Sequence, residues 1–369
     1  MTLPGNTRTL MPLCSLALLG AMLGCTAEKP GREAPDELLA VPIDTLTSTE
    51  VVTSPFFGSL TAVAVIDDRI LLVDGSGEPF LHLVDPATGT VVRSMGRHGQ
   101  GPREYGVAPM VAGQWSGARG RVALFDAMIG RLSVVSIGDA DASPGESQPR
   151  AIPELPVLQV RMMDGGGSAT TRWDAARGLQ VTQYDSLGTR TASLDSLAID
   201  DARLPLRELS GAYSHTLCVR PESRDVALVY RYTGRIDLVV ADRAHVVRAA
   251  LPFTFLPHLA PNPLTSQLAF KSGEAGTRRA YLDCVGSSTR LYALFDGGYH
   301  HRLGQDPVRT NSVVHAFDWD GKMVGAIQLD HAARAIAIDA SGRILYSVTG
   351  NASELGPALR RTNLETVTW

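Results

Sequence analysis

Short β-branched runs closed by Asp, Pro or Gly recur along almost the whole chain. This recurrence limits the possible folds more than any other feature, because helical periodicity is nearly absent beyond the first two dozen residues. "LTAVAVIDDRILLVD", Leu60–Asp74, reads as two strands around an Asp67-Asp68 turn. "FLHLVDPATGTVVRSMG", Phe80–Gly96, reads as a hairpin whose loop runs from Asp85 to Gly89. Proline presets such a turn and glycine supplies the positive φ that closes it. "SVVHAFDWDGKMVGAIQLD", Ser312–Asp330, repeats the design with Asp320-Gly321 at its tip. That pair suits a type I′ turn, whose two central residues both need positive φ. "AIAIDASGRILYSV", Ala335–Val348, is another strand, turn, strand unit.

Further units begin at Gly120, Arg177, Arg224 and Thr289. Aligned on one another, they recur every ~40 to 60 residues, the interval of a four-stranded propeller blade. The expectation is an all-β chain in which residues 41–369 form a six-bladed β-propeller with four-stranded blades. A ring must close. The segment Glu37–Val52 is expected to add the outer strand of the last blade, which would protect an exposed edge. The final stretch, "ALRRTNLETVTW", would supply one more strand.

Two stretches carry a family resemblance. "NSVVHAFDWDGKMVGAIQLDHAARAIAIDASGRILYSVTGN", Asn311–Asn351, resembles the last blades of bacterial TolB-like six-bladed propellers. "ILLVDGSGEPFLHLVDPATGTVVRSMGRHGQGPREYGVAP" resembles their first blade and also the NHL-type repeat. The middle blades match by period alone. The resemblance implies a fold and a secreted or lipoprotein setting, and no particular activity.

The N-terminus supports export. "LMPLCSLALLGAMLG", Leu10–Gly24, is an apolar run of 15 residues. That is shorter than the ~20 residues of a membrane span and matches a signal-peptide core. It ends in "MLGC", which resembles the bacterial lipobox, with Met22 where leucine is usual and Cys25 as the lipidated residue. Thr26 in place of aspartate resembles the pattern sent to the outer membrane. Residues 1–24 are expected to be a lipoprotein signal peptide, and residues 25–40, polar and proline-bearing, a flexible tether. The expected location is the cell envelope, with an outer-membrane lipoprotein facing the periplasm or the surface. Membrane contact would be through the lipid alone.

The formal net charge of −4 leaves no basic field for nucleic acid. Cys218 and Cys284 lie in similar contexts, "TLCVRPESRDVALVY" and "LDCVGSSTRLYALF". As equivalent strands of neighbouring blades they could form a disulfide in an oxidising compartment; two separate buried thiols is the other reading.

"GRHGQGPREY", Gly96–Tyr105, is the stretch most like a phosphate loop. It lacks the Lys and Ser/Thr of a Walker loop and the Gly-x-Gly-x-x-Gly spacing of a dinucleotide fold. It reads instead as the joint between two blades, with Tyr105 filling the wedge. Arg97, His98 and Arg103 would form a ligand-facing cationic loop, or a solvated one partnered by Glu104.

Metal patterns are weak. His300 and His301 are adjacent, so on a strand they point to opposite faces. His215 and Asp283 stand near the starts of inner strands and could reach the hub, or serve as core or rim groups. "GGGSAT", Gly165–Thr170, lacks the hydrolase elbow; "DGSGE", Asp74–Glu78, lacks the last acid of a calcium loop; Trp319 is expected to cap a surface hairpin. No metal, cofactor or catalytic residue is assigned. The chain is expected to be a monomeric, non-enzymatic binding scaffold for a protein, peptide or glycan. The alternative is a calcium-dependent propeller hydrolase or lactonase.

Overall fold

The computed structural model describes residues 43–53, 57–101, 104–115, 119–137, 148–150, 156–194, 197, 209–240, 245–251, 253, 256–261, 268–271, 276–299, 312–350 and 356–367. Most of its strands form six blades, each of four antiparallel strands, arranged as a ring. From the hub outward, the first blade is Leu60–Ile66, Arg69–Asp74, Leu81–Asp85 and Thr90–Met95. The second is Met110–Gln114, Arg121–Asp126, Arg131–Ser136 and Gln148–Arg150. The third is Gln159–Met162, Ser168–Asp174, Gly178–Tyr184 and Arg190–Leu194. The fourth is His215–Val219, Val226–Tyr230, Ile236–Val240 and His245–Arg248. The fifth is Tyr281–Gly286, Leu291–Phe295, Ser312–Phe317 and Met323–Leu329. The sixth is Ala335–Ile338, Ile344–Val348, Ala358–Asn363 and, from the other end of the chain, Ser48–Thr53. Each innermost strand packs against the next, and Ala335–Ile338 packs against Leu60–Ile66, so the ring is closed. The fold is a six-bladed β-propeller with four-stranded blades.

The N-terminal segment does more than close the sixth blade. Ser48–Thr53 pairs antiparallel with Ala358–Asn363. The preceding strand, Ile43–Leu46, pairs parallel with Met323–Leu329 and becomes a fifth strand of the fifth blade. One segment therefore covers two outer edges. Residues 37–42 lie outside the described residues.

Two sequence-based readings shift. The look-alike units are not equivalent parts of a blade. Leu60–Asp74 and Ala335–Val348 each span first and second strands, the unit from Gly120 spans the second and third, and the unit from Arg177 the third and fourth. The middle strands of a blade are buried on both sides because each sheet packs between two others, with Gly178–Tyr184, Val226–Tyr230 and Leu291–Phe295 buried throughout, so one apolar hairpin resembles another. The Asp320-Gly321 tip is also not type I′. Gly321 has φ 85°, while Asp320 is not among the positive-φ residues. The turn is held by the Asp318 carboxylate, which accepts from the N–H groups of Asp320 at 3.1 Å and Lys322 at 2.8 Å.

The core lies in the seams between blades. Tyr105, 1% exposed, wedges between Leu81 and Leu83 of the first blade and Val122 and Leu124 of the second. Phe253, from the connection before the fifth blade, fills the seam between the fourth and fifth. Trp319 is buried in that seam rather than capping the surface, and its Nε1 donates to the carbonyl of Ser287 at 3.0 Å. Gly286 is needed there, since a Cβ would collide with the carbonyl oxygen of Val219 on the neighbouring inner strand.

A recurrent aspartate ends the second strand of several blades. Asp74 accepts from the backbone of Gly58 and Ser59, just before the inner strand, and of Ser76 and Gly77, in the following turn, at 2.5, 2.8, 3.0 and 3.0 Å. Asp126 does the same for Gly106 at 2.6 Å and Met128 at 3.0 Å. In the fifth blade Asp296 accepts from the Gly298 N–H at 3.4 Å and also receives the Arg279 guanidinium at 2.7 Å. Each carboxylate ties an incoming connection to the blade it enters.

Candidate functional site: the central channel and the face around it

The six inner strands enclose a cavity of about 840 Å³. Their outer neighbours satisfy one backbone edge, and the channel side leaves polar groups of the inner edges to be satisfied by side chains. Arg161, on the inner strand of the third blade, donates through Nη1 to the carbonyl of Val111 in the second blade at 2.8 Å. Asp283, on the inner strand of the fifth, accepts from the N–H of Ile336 in the sixth at 2.9 Å. Both side chains line the cavity. Burial pushes the Asp283 carboxyl above its usual range, against the pull of the Ile336 N–H and the positive charges of Arg161 and Arg231. Burial also lowers the pKa of Arg161, with Asp283 opposing the shift.

The two faces of the disc differ. Each inner strand begins on one face, where the connections between blades and the turns between second and third strands also lie. The longest connections, 195–214, 249–280 and 296–311, all start and end there. The opposite face carries short turns such as 67–68, 185–189 and 287–290. The insertion 249–280 includes a hairpin, Leu259–Pro261 with Leu268–Phe270. The ring of Phe270 lies 4.3 Å from that of Tyr232, which lines the channel.

The sequence-derived candidates fall in different places. Arg97 and His98 are exposed on the loop-bearing face. Arg97 pairs with Glu104 at 2.7 Å, and the His98 ring meets Phe80 edge-on at 4.6 Å. Hydrogen bonding to the Gly101 N–H and to Arg97 holds the Glu104 carboxyl below its usual range. Arg103 lies outside the described residues, as do Cys25 and the adjacent His300 and His301. Cys218 and Cys284 face each other on inner strands of the fourth and fifth blades and form a disulfide with Cα atoms 6.1 Å apart.

His215 does not reach the hub. Its Nε2 meets Thr171 Oγ1 of the third blade at 2.9 Å and its Nδ1 meets the carbonyl of Tyr213 at 3.0 Å. Burial lowers its pKa to about 4. Asp283 does line the channel; Arg161 and Arg231 were not singled out from the sequence. The available signal was a lone charge inside an apolar inner strand, "LQVRMM". Among the described residues, no three His, Cys, Asp or Glu side chains group as a metal site.

No known protein family and no curated protein matches the sequence. Solved structures similar to this chain include one titled "Structure of U3-55K", 10% identical with a TM-score of 0.48, covering 86% of this chain and 98% of that one. Another is the WD40-repeat structure of RRP9, 8% identical with a TM-score of 0.47, covering 88% of this chain and 99% of that one. A third is a DUF4221-family member from Bacteroides vulgatus, 10% identical with a TM-score of 0.48, covering 88% of this chain and 95% of that one. At that similarity the account of this chain rests on its own strands and side chains.

Proposed function

We propose that this chain is an exported, lipid-anchored binding protein of the bacterial envelope, a relative of TolB-like and NHL-like propellers. It engages a protein, peptide or glycan through its loop-bearing face. The observation that carries this reading is that the strands flanking the three longest connections end and begin on the face where the inner strands begin. Loops on a rigid scaffold are where such folds place recognition. The apolar run and "MLGC" support export and lipidation at Cys25.

The charges in the channel argue against a calcium-dependent hydrolase. Calcium takes six to eight oxygen ligands, several of them carboxylate. Here the carboxylate of Asp283 stands in the field of two guanidiniums, Arg161 and Arg231, which repel a dication.

Two experiments test the reading. Cys25→Ala is expected to move the protein from the membrane to the soluble fraction; retention in the membrane contradicts lipid anchoring. A photo-crosslinking residue at Met128, exposed on the loop-bearing face, is expected to trap a protein partner in cells. The same residue at Leu187, exposed on the opposite face, is expected to trap none. The reverse pattern contradicts the assignment of the binding face.

A further inference from the structure

The channel has two unlike sides. The sixth, first and second blades line it mainly with small or apolar side chains such as Ala62, Ala64, Ala112, Ile336 and Ala337, with Arg334 at the start of the sixth. The third, fourth and fifth blades add Arg161, Asp164, Arg231 and Asp283. Of the other lining charges, Arg220 pairs with Asp225 at 3.3 Å, Arg279 pairs with Asp296 at 2.7 Å, and Asp164 accepts from the Glu222 N–H. Arg161 donates to neutral carbonyls, those of Val111 at 2.8 Å and Val160 at 3.3 Å. Among the described residues, the Arg231 side chain has no hydrogen-bond or ion-pair partner, and Asp283 forms no ion pair. Five arginines and two aspartates line the channel and two of those arginines are paired, so the lining carries one positive charge in excess, with Asp283 in the field of both Arg161 and Arg231. A cavity of about 840 Å³ is large enough for a small molecule.

We propose that the central channel binds an amphipathic monocarboxylate, with its carboxylate drawn to Arg161 and Arg231 and its apolar body against the walls of the sixth, first and second blades. A guanidinium matches a carboxylate in shape and charge, and such charge-assisted bonds strengthen away from bulk water. The small side chains opposite provide apolar surface without filling the space. This site is separate from the loops that engage a macromolecular partner, so either assignment can fail alone.

The test is calorimetric titration of residues 26–369, which contain every strand of the closed ring, with octanoate, octanol and octylammonium. Octanoate is expected to bind one molecule per chain, with octanol and octylammonium at least about tenfold weaker, the scale of a lost charged hydrogen bond. Arg231→Gln is expected to weaken octanoate about tenfold and leave octanol unchanged. Asp283→Asn, which keeps an acceptor for the Ile336 N–H and removes the opposing charge, is expected to tighten octanoate binding severalfold. Because a misfolded variant does not gain affinity, that result separates binding from stability. Absence of octanoate binding overturns the proposal. So does octanol binding as tightly as octanoate, or octanoate affinity unchanged in both variants.

Discussion

Ser347 Oγ lies 2.7 Å from Nε2 of His331, deep inside the sixth blade. The Nδ1 of the same ring lies 2.8 Å from Asp330 Oδ1 and 3.1 Å from Ser48 Oγ, and Ser48 donates to Asp330 at 2.6 Å. The order serine, histidine, aspartate resembles a hydrolytic relay, but Ser347 is 0% exposed, so no substrate reaches its hydroxyl. The cluster is a clasp. It joins the N-terminal strand to the connection between the fifth and sixth blades and to the second strand of the sixth. Ser347→Ala strands a buried ring nitrogen, at an expected cost of about 1–3 kcal/mol in denaturant unfolding. An unchanged midpoint contradicts the clasp.

Acid should loosen the ring. Burial lowers the pKa of His215 to about 4 and of His315 to about 3, from 6.5, and lowers those of His82 and His331 too. The unfolded chain then binds more protons than the folded one below the unfolded value of 6.5. Stability is fully present above that value and falls as the pH drops toward about 4, by ~1.4 kcal/mol per pH unit for each of His215 and His315. Thermal midpoints measured across this range should decline. In His315→Gln the decline should be shallower by about one proton. An equal slope in wild type and variant contradicts the assignment.

The Cys218–Cys284 disulfide closes 66 residues of chain between two inner strands. Alkylation without reductant should leave both residues unmodified when the protein is recovered from an oxidising compartment. Replacing both by alanine should lower stability by about 2–4 kcal/mol. Quantitative alkylation of the unreduced, unfolded chain would show free thiols.

Asp74 accepts four backbone N–H groups. Burial raises its pKa, but those four bonds outweigh burial and hold the carboxyl below its usual range. Asp74→Ala should lower stability by leaving four part-buried donors unmet, at no more than about 1–3 kcal/mol each. Asp74→Asn should cost less, because one acceptor oxygen remains. Equal costs for the two substitutions contradict the clamp.

Hairpins such as Leu60–Asp74 and Ser312–Asp330 were legible because alternation and turn residues are local signals. The recurrent aspartates were also readable, in "LLVD" and the two "ALFD" strings ending at Asp74, Asp126 and Asp296. The clasp was not, because Ser48 and His331 are 283 residues apart and meet only when the ring closes. The position of an arginine within a strand shows that it points to one face. Only the arrangement of all six blades shows that for Arg161 this face is the channel. Trp319 looked like a surface residue because its hairpin is polar, and tertiary packing against Gly286 and Arg220 buried it.

Calcium titration of residues 26–369 tests most directly whether the hub belongs to a binding propeller rather than a calcium enzyme. No saturable calcium binding is expected, because Arg161 and Arg231 oppose a dication at Asp283. One tightly bound calcium per chain, lost in Asp283→Asn, would contradict it.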